Sequence, residues 1–295
     1  MDGALLLDKP LGMTSNRALQ DAKKLLGARK AGHGGTLDPL ASGLLVILLG
    51  EGTKFAGPML DADKEYLATV KLGVTTTTAD AEGEVLEERP VRVHGEQVAA
   101  ALARFRGPIE QMPPMHSALK RDGVPLYRLA RAGRSVERRA RQVEIRELEL
   151  LQCAPPILEL RVRCSKGTYI RVLAEDIGAV LGTGAHLAAL RRTGSGRFHV
   201  RDAATLEELR AMPDKRAALL PLRVLLEDLP RAELDAAAEV RLRHGQPLKI
   251  SGLAEGLCAL YRADGGVIGL GEVQREGAVK AIRLTQAADK HRKTL

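Results

Sequence analysis

The sequence predicts an α/β (α+β) fold, and two observations carry that reading. Strand-length apolar or alternating runs (Ala4 to Leu7, Leu44 to Leu49, Tyr66 to Leu72, Val143 to Gln152, Ile157 to Ser165) are interleaved with helical periodicities at 18–26, 97–105 and 169–181. From Leu257 onward the helical period disappears. Three short runs follow, Leu257 to Arg262, Val267 to Val273 and Val279 to Leu284, separated by Gly/Asp turns. The first part should form a mixed, mainly antiparallel central sheet flanked by helices. The tail should form a small β module.

Taken in order, Ala4 to Leu7 is a short buried strand that ends in Asp8-Lys9-Pro10. Thr14, Ser15 and Asn16 are N-cap residues, and Ala18, Leu19, Ala22, Leu25 and Leu26 follow at helical spacing until Gly27 stops the helix. Lys23, Lys24, Arg29 and Lys30 make its end basic, as a solvated face or as a phosphate contact. Thr75 to Glu84 is a polar loop whose Asp80-Ala81-Glu82-Gly83 is turn chemistry; it lacks EF-hand spacing, and no metal site is expected. Residues 107–117, with Pro108, Pro113 and Pro114, should be extended loop. Val143 to Gln152 and Ile157 to Ser165 pair across a Pro155-Pro156 turn.

Thr168 should cap a helix from Tyr169 to Leu181 that buries Ile170, Leu173, Ile177 and Leu181. Arg171 falls in its first turn, where a cation opposes the helix dipole. A residue so placed suggests a buried acidic partner, and Asp38 is the candidate. Leu190-Arg191-Arg192 should end a short apolar helix, and Thr205 to Glu208 is a capping box. Glu227 to Ala232, containing Pro230, is the candidate linker, followed by a helix at 236–244.

Composition narrows the function. The 295 residues are 45% hydrophobic, and 45 Lys+Arg outnumber 37 Asp+Glu for a net charge of +8. That favours a polyanionic partner, nucleic acid first. An anionic membrane is the competitor, but no basic amphipathic anchor or run of spanning length is evident. Nine Lys and Arg against three acids give +6 between Lys120 and Arg146, around a helical middle from Pro125 to Ala132. Beside a prolyl loop, this reads better as a nucleic-acid clamp than as a solvated face. Met1-Asp2-Gly3 lacks the basic start of a signal peptide, and Cys153, Cys164 and Cys258 are odd in number without metal spacing. Reduced thiols in a cytoplasmic protein are expected.

The stretch with the most chemistry is Gly32-His33-Gly34-Gly35-Thr36-Leu37-Asp38-Pro39-Leu40-Ala41-Ser42-Gly43. Its glycines permit a tight bend, and Pro39 pushes Asp38 out of the helical region. Asp38 therefore sits on a rigid bend, as a catalytic carboxylate or as ordinary turn chemistry. His33 to Gly43 resembles the catalytic loop of the bacterial tRNA pseudouridine synthase B family, whose pattern is HxGxLDPxAxG. Further matches follow in family order: Leu7-Asp8-Lys9-Pro10 with Gly12, Thr14 and Ser15; Asp63-Lys64 with Tyr66; Cys164 to Arg171; Gly184-Ala185-His186; and Leu190 to Arg192.

The resemblance implies the pseudouridine synthase fold, with residues 1–229 catalytic, a tRNA-gripping insertion at about 117–146, and residues 230–295 a PUA-like RNA-binding β-barrel. It implies isomerisation of the T-loop uridine of tRNA after base flipping. Asp38 is then the essential carboxylate, attacking C1′, attacking C6 or removing a proton at C2′. Arg171 would hold it through a bidentate ion pair. Tyr66 would stack on the uracil and assist at C5, and Tyr169 and Leu190 would line the pocket, although all three also suit a core. His33 would insert among T-loop bases. Lys64 would lie at the substrate, although it and Lys9, with Pro10, more simply brace the fold. His186 is structural or RNA-facing. Arg128, Arg131, Arg138, Arg139 and Arg141 would meet the RNA backbone. The reaction needs no cofactor or metal, which agrees with the lack of a GxGxxG or P-loop fingerprint. The partner would be the tRNA T stem-loop, with the protein a monomer that needs no protein partner and no membrane. The alternatives are a pseudouridine synthase for another RNA, including guide-dependent relatives, and a tRNA-binding RNA chaperone.

Overall fold

The computed structural model describes residues 1–286 apart from positions 118, 122 and 135. The expected mixed sheet is present, with strands in the order Leu219–Leu220, Gly3–Lys9, Ala41–Leu49, Ala185–Ser195, Lys64–Leu72, Ile157–Cys164, Arg141–Ala154 and Gly107–Gln111. Ala31–His33 adds to Ala41–Leu49, and Phe198–His199 adds to Ala185–Ser195. All these pairs are antiparallel except one, Ala41–Leu49 beside Ala185–Ser195, which sets Leu190 opposite Ala41 and Arg192 opposite Gly43.

Ala41–Leu49 is almost continuously buried because both of its faces are covered. On one side Leu45, Ile47 and Leu49 meet Ala18, Leu19, Ala22 and Leu26 of the Ser15–Leu26 helix. On the other, Leu44, Val46 and Leu48 join a cluster with Leu225, Leu226, Ala259, Tyr261 and Leu270. A fully buried leucine contributes about 1.5–3 kcal/mol, so this strand is a rigid base for the loop that precedes it. The Ser15–Leu26 helix ends as read: Thr14 accepts from Arg17 N, and Gly27 takes φ 64°. A third cluster holds Tyr66, Ala68, Val70, Leu158, Leu160 and Val162 against Ile170, Leu173 and Ile177 of the Ile170–Val180 helix.

The tail forms its own curled five-stranded sheet, ordered Arg231–Leu234, Gly256–Arg262, Val267–Val273, Ala278–Leu284 and Leu248–Lys249. The last two residues of the expected linker, Arg231 and Ala232, are therefore strand, because Arg231–Leu234 pairs in parallel with Ala259 to Arg262.

Four local expectations are corrected. Leu190-Arg191-Arg192 lies within an eleven-residue strand, Ala185–Ser195, and not at a helix end. Its Ala and Leu residues favour a helix locally, but pairing on both edges overrides that propensity. The cap of the Ile170–Val180 helix is Tyr169, with no side-chain bond; Thr168 Oγ1 donates instead to the Ser165 carbonyl, 2.9 Å away. The polar loop at 75–84 begins and closes in a small hairpin, Val74–Thr76 with Val85–Glu88. Residues 107–111 are an edge strand, with Gly107 and Pro108 at its start.

Candidate active site

The Asp38 loop is held from three directions. Ser15 Oγ donates to the Leu37 carbonyl at 2.8 Å and accepts from Leu37 N at 2.7 Å. Gly12 N donates to the Pro39 carbonyl at 2.8 Å, and Ala41 N closes back on the Asp38 carbonyl at 3.0 Å. Beneath, Arg192 reaches the carbonyls of Gly35, Thr36 and Leu44. Gly43, at φ 101°, has no room for a side chain, since a Cβ there would lie 2.3 Å from the Arg192 carbonyl oxygen.

The loop faces a cavity of about 250 Å³, lined among others by Asp38, Tyr66, Tyr169, Arg171, Leu190 and Arg192. That volume is roughly eight waters' worth, a space for one base. Arg171 is buried, and its Nη2 lies 3.1 Å from Asp38 Oδ2. The pair is not bidentate. The guanidinium is shared: Nη1 donates to Asp80 Oδ2 at 3.3 Å, and Nη2 to the His116 carbonyl at 2.6 Å. Asp80 is 2% exposed and accepts in addition from Thr78 Oγ1 at 2.5 Å. The Asp38 side chain is 45% exposed at the cleft mouth. Burial of its carboxyl pushes its pKa above the usual value; Arg171 works against that, and Asp80 adds to it.

Tyr66 is 9% exposed, and burial raises its phenol pKa while Arg192 opposes the rise. Tyr169 is half-buried, its ring 5.9 Å from the Arg171 guanidinium carbon. Lys64 touches the same cavity, but its ammonium is committed to the carbonyls of Met59, Leu60 and Ala62 at 2.9, 2.9 and 2.6 Å. Lys9 is fully buried, and its ammonium donates to the carbonyls of Pro10 and Met13. Burial first and Arg192 second bring both lysines down to about 8. His33 ends the Ala31–His33 strand outside the cavity lining, with a buried Nδ1 that has no partner and a pKa lowered chiefly by burial. His186 is buried against the Val74 carbonyl at 2.9 Å.

In the basic segment, Leu126–Arg131 is helical and Arg128, Arg139 and Arg141 are exposed, while Arg138 donates to the Pro113 carbonyl. The Arg131 side chain lies outside the described residues. A larger cavity, about 660 Å³, lies behind Lys64 toward the tail sheet. Its lining mixes Asp61, Asp63, Glu65, Glu147 and Asp228 with Lys64 and Arg163, and it lacks Asp38, Tyr66 and Arg171.

Sequence reasoning missed Asp80, Ser15 and Arg192 as parts of this site. Ser15 looked like a helix-start residue and Asp80 like a turn residue. The one available signal was the cation in the first turn at Arg171, which called for an acid and found two.

Comparison with known proteins shows the family. Residues 23–170 match the TruB family pseudouridylate synthase N-terminal domain. Residues 171–229 match the tRNA pseudouridylate synthase B C-terminal domain, and residues 230–285 the pseudouridine synthase II TruB C-terminal domain. A tRNA pseudouridine synthase B of Burkholderia mallei (strain NCTC 10247) is 54% identical over 293 residues, covering 96% of this chain and 97% of its own. One of Ralstonia nicotianae (strain ATCC BAA-1114 / GMI1000) is 55% identical over 287 residues, covering 94% and 91%. Among solved structures, a chain of a Cbf5-Nop10-Gar1 complex aligns with a TM-score of 0.76 at 28% identity, covering 96% of this chain and 84% of that one. A chain of an H/ACA RNP bound to a substrate RNA aligns with a TM-score of 0.75 at 27% identity, covering 97% and 86%. These matches define a pseudouridine synthase, an isomerase. The chain belongs to the TruB family of pseudouridylate synthases.

Proposed function

We propose that this enzyme converts uridine to pseudouridine in tRNA, at the T-loop uridine (position 55 in tRNA nomenclature), with Asp38 as the carboxylate on which the bond exchange depends. The observation that carries the reading is the convergence of Asp38, Tyr66 and the buried Arg171 on one base-sized cavity. The names of the Burkholderia and Ralstonia relatives supply the substrate class.

The reaction breaks the N1–C1′ bond, turns the base and joins C5 to C1′. The C5 proton leaves, N1 gains one, and no electron is lost or added. A uridine inside a stack is out of reach, so the base is flipped into the cavity. Tyr66 and Leu190 hold it there, and stacking on the Tyr66 ring contributes about 1–3 kcal/mol. Asp38 acts ionised at C1′, C6 or C2′, and Arg171 favours that form against the burial that disfavours it. Tyr169 closes the pocket beside Arg171. His33 works on the neighbouring bases, and Arg128, Arg131, Arg138, Arg139 and Arg141 meet the backbone. Residues 1–229 form the catalytic unit, and 230–295, of which 287–295 lie outside the described residues, belong to a PUA-like RNA-binding unit. The protein works in the cytoplasm as a monomer without a partner protein. The solved neighbours are parts of protein assemblies, but the basic segment from Lys120 to Arg146 suits an enzyme that grips its RNA unaided.

The test is pseudouridine formation in an unmodified tRNA transcript, mapped base by base. Product at the T-loop uridine alone is expected. Product at another position overturns the assignment of position, and binding without product leaves only an RNA chaperone.

A further inference from the structure

Arg192 is among the largest side chains that the molecule buries completely. It stands where three strands meet, opposite Gly43 on one edge and Tyr66 on the other. Its Nε donates to the Leu44 carbonyl at 2.7 Å, Nη2 to that of Gly35 at 3.1 Å, and Nη1 to that of Thr36 at 3.4 Å. Its own backbone packs on Gly43 so closely that no side chain fits. One residue thus grips both ends of the segment that carries Asp38. These three acceptors are carbonyls, the Tyr66 phenol is a further hydrogen-bond partner, and among the described residues no carboxylate lies within ion-pair distance of Arg192.

A buried guanidinium without a counter-ion is costly, and an apolar side chain of similar volume would serve packing better. The retained charge lies at the wall of the reaction cavity. We propose that Arg192 is a positioning residue for the isomerisation, fixing the Gly35–Gly43 backbone that aims Asp38 and supplying the positive potential that steadies the detached base. When N1–C1′ breaks, its electron pair stays on the uracil, and the negative charge spreads over the ring until C5 bonds to C1′. A fixed cation beneath the ring stabilises that charge without reorganising. The same field reaches the neighbours: after burial, Arg192 is the largest influence lowering Lys9, Lys64 and His33, and it draws the Tyr66 phenol back down. The inference rests on the proposed reaction at Asp38.

The experiment compares wild type, Arg192→Lys, Arg192→Met and Asp38→Asn as full-length proteins on an unmodified tRNA transcript. It reads melting temperature, tRNA affinity, single-turnover rate and, with labelled tyrosine, the titration of Tyr66 by NMR. Arg192→Lys keeps the charge but loses the fork. It should fold, bind tRNA within about threefold of wild type, slow the chemical step about tenfold and leave the Tyr66 titration in place. Arg192→Met should slow the step by about a hundredfold or more and move the Tyr66 titration upward. Should Arg192→Met fail to fold, Arg192→Lys decides. A folded Arg192→Lys with a wild-type single-turnover rate overturns the inference, as does a folded Arg192→Met with an unmoved Tyr66. An inactive wild type, or an active Asp38→Asn, instead overturns the reaction itself.

Discussion

Asp80 lies 3.3 Å from Arg171 Nη1, with both side chains at least nine-tenths buried, so the cation that faces Asp38 is anchored from behind. Asp80 sits in the turn after Val74–Thr76 and Arg171 in the first turn of Ile170–Val180, so the ion pair ties two distant segments together. Replacing Asp80 by Asn keeps the shape and removes the charge. The single-turnover rate should fall about tenfold to a hundredfold, the scale of a misplaced reacting group, with tRNA affinity little changed. Quench-flow and filter binding on the same transcript check this; a loss confined to affinity would contradict it.

Arg171 is the chief influence holding the Asp38 carboxyl down against burial. In the proposed reaction Asp38 acts ionised, so activity should fall on the acid side of its pKa. Arg171→Gln removes the opposing influence, and the acid limb of the rate–pH profile should move to higher pH. A limb that stays in place, or moves lower, would show that Arg171 does not govern that carboxylate.

Ser15 makes two hydrogen bonds to Leu37, next to Asp38. Ser15→Ala leaves a buried N–H and a carbonyl unpaired, at a cost of about 1–3 kcal/mol. Urea unfolding should show that loss together with a slower chemical step. A stability loss with an unchanged rate would mean that the loop keeps its geometry without Ser15.

Lys64 titrates at about 8 in the fold, lowered by burial first and by Arg192 second, whereas an unfolded lysine titrates near about 10.4. Between those values the unfolded chain binds more protons, so unfolding free energy rises with pH through this group. The penalty of the buried charge is present in full below pH 8 and is relieved above it. The stability difference of wild type over Lys64→Met should therefore grow from pH 7.5 to 9.5 in paired urea melts. A flat or shrinking difference contradicts the assignment.

Much of this molecule was legible in its sequence because its signals are local. The buried run Leu44 to Leu49, the Thr14 and Gly27 caps and the Thr205 capping box all appear as read. What escaped is set by pairing at a distance. Leu190 to Arg192 has helical composition and becomes strand only because Ala41–Leu49 and Lys64–Leu72 bond to its two edges. Asp80 looks like any turn aspartate until Arg171, 91 positions later, folds against it. The Asp38 bend was visible from its glycines and proline, but its support by Ser15 and Arg192 depends on the sheet around it.

The most direct test of the central claim is Asp38→Asn under single-turnover conditions, with tRNA binding measured on the same samples. Asparagine fills the space of the carboxylate but offers no negative charge to the sugar or base. No detectable pseudouridine at the T-loop uridine and near wild-type affinity are expected. Product formation at a rate approaching wild type, with binding intact, would contradict the claim and move the chemistry to another residue.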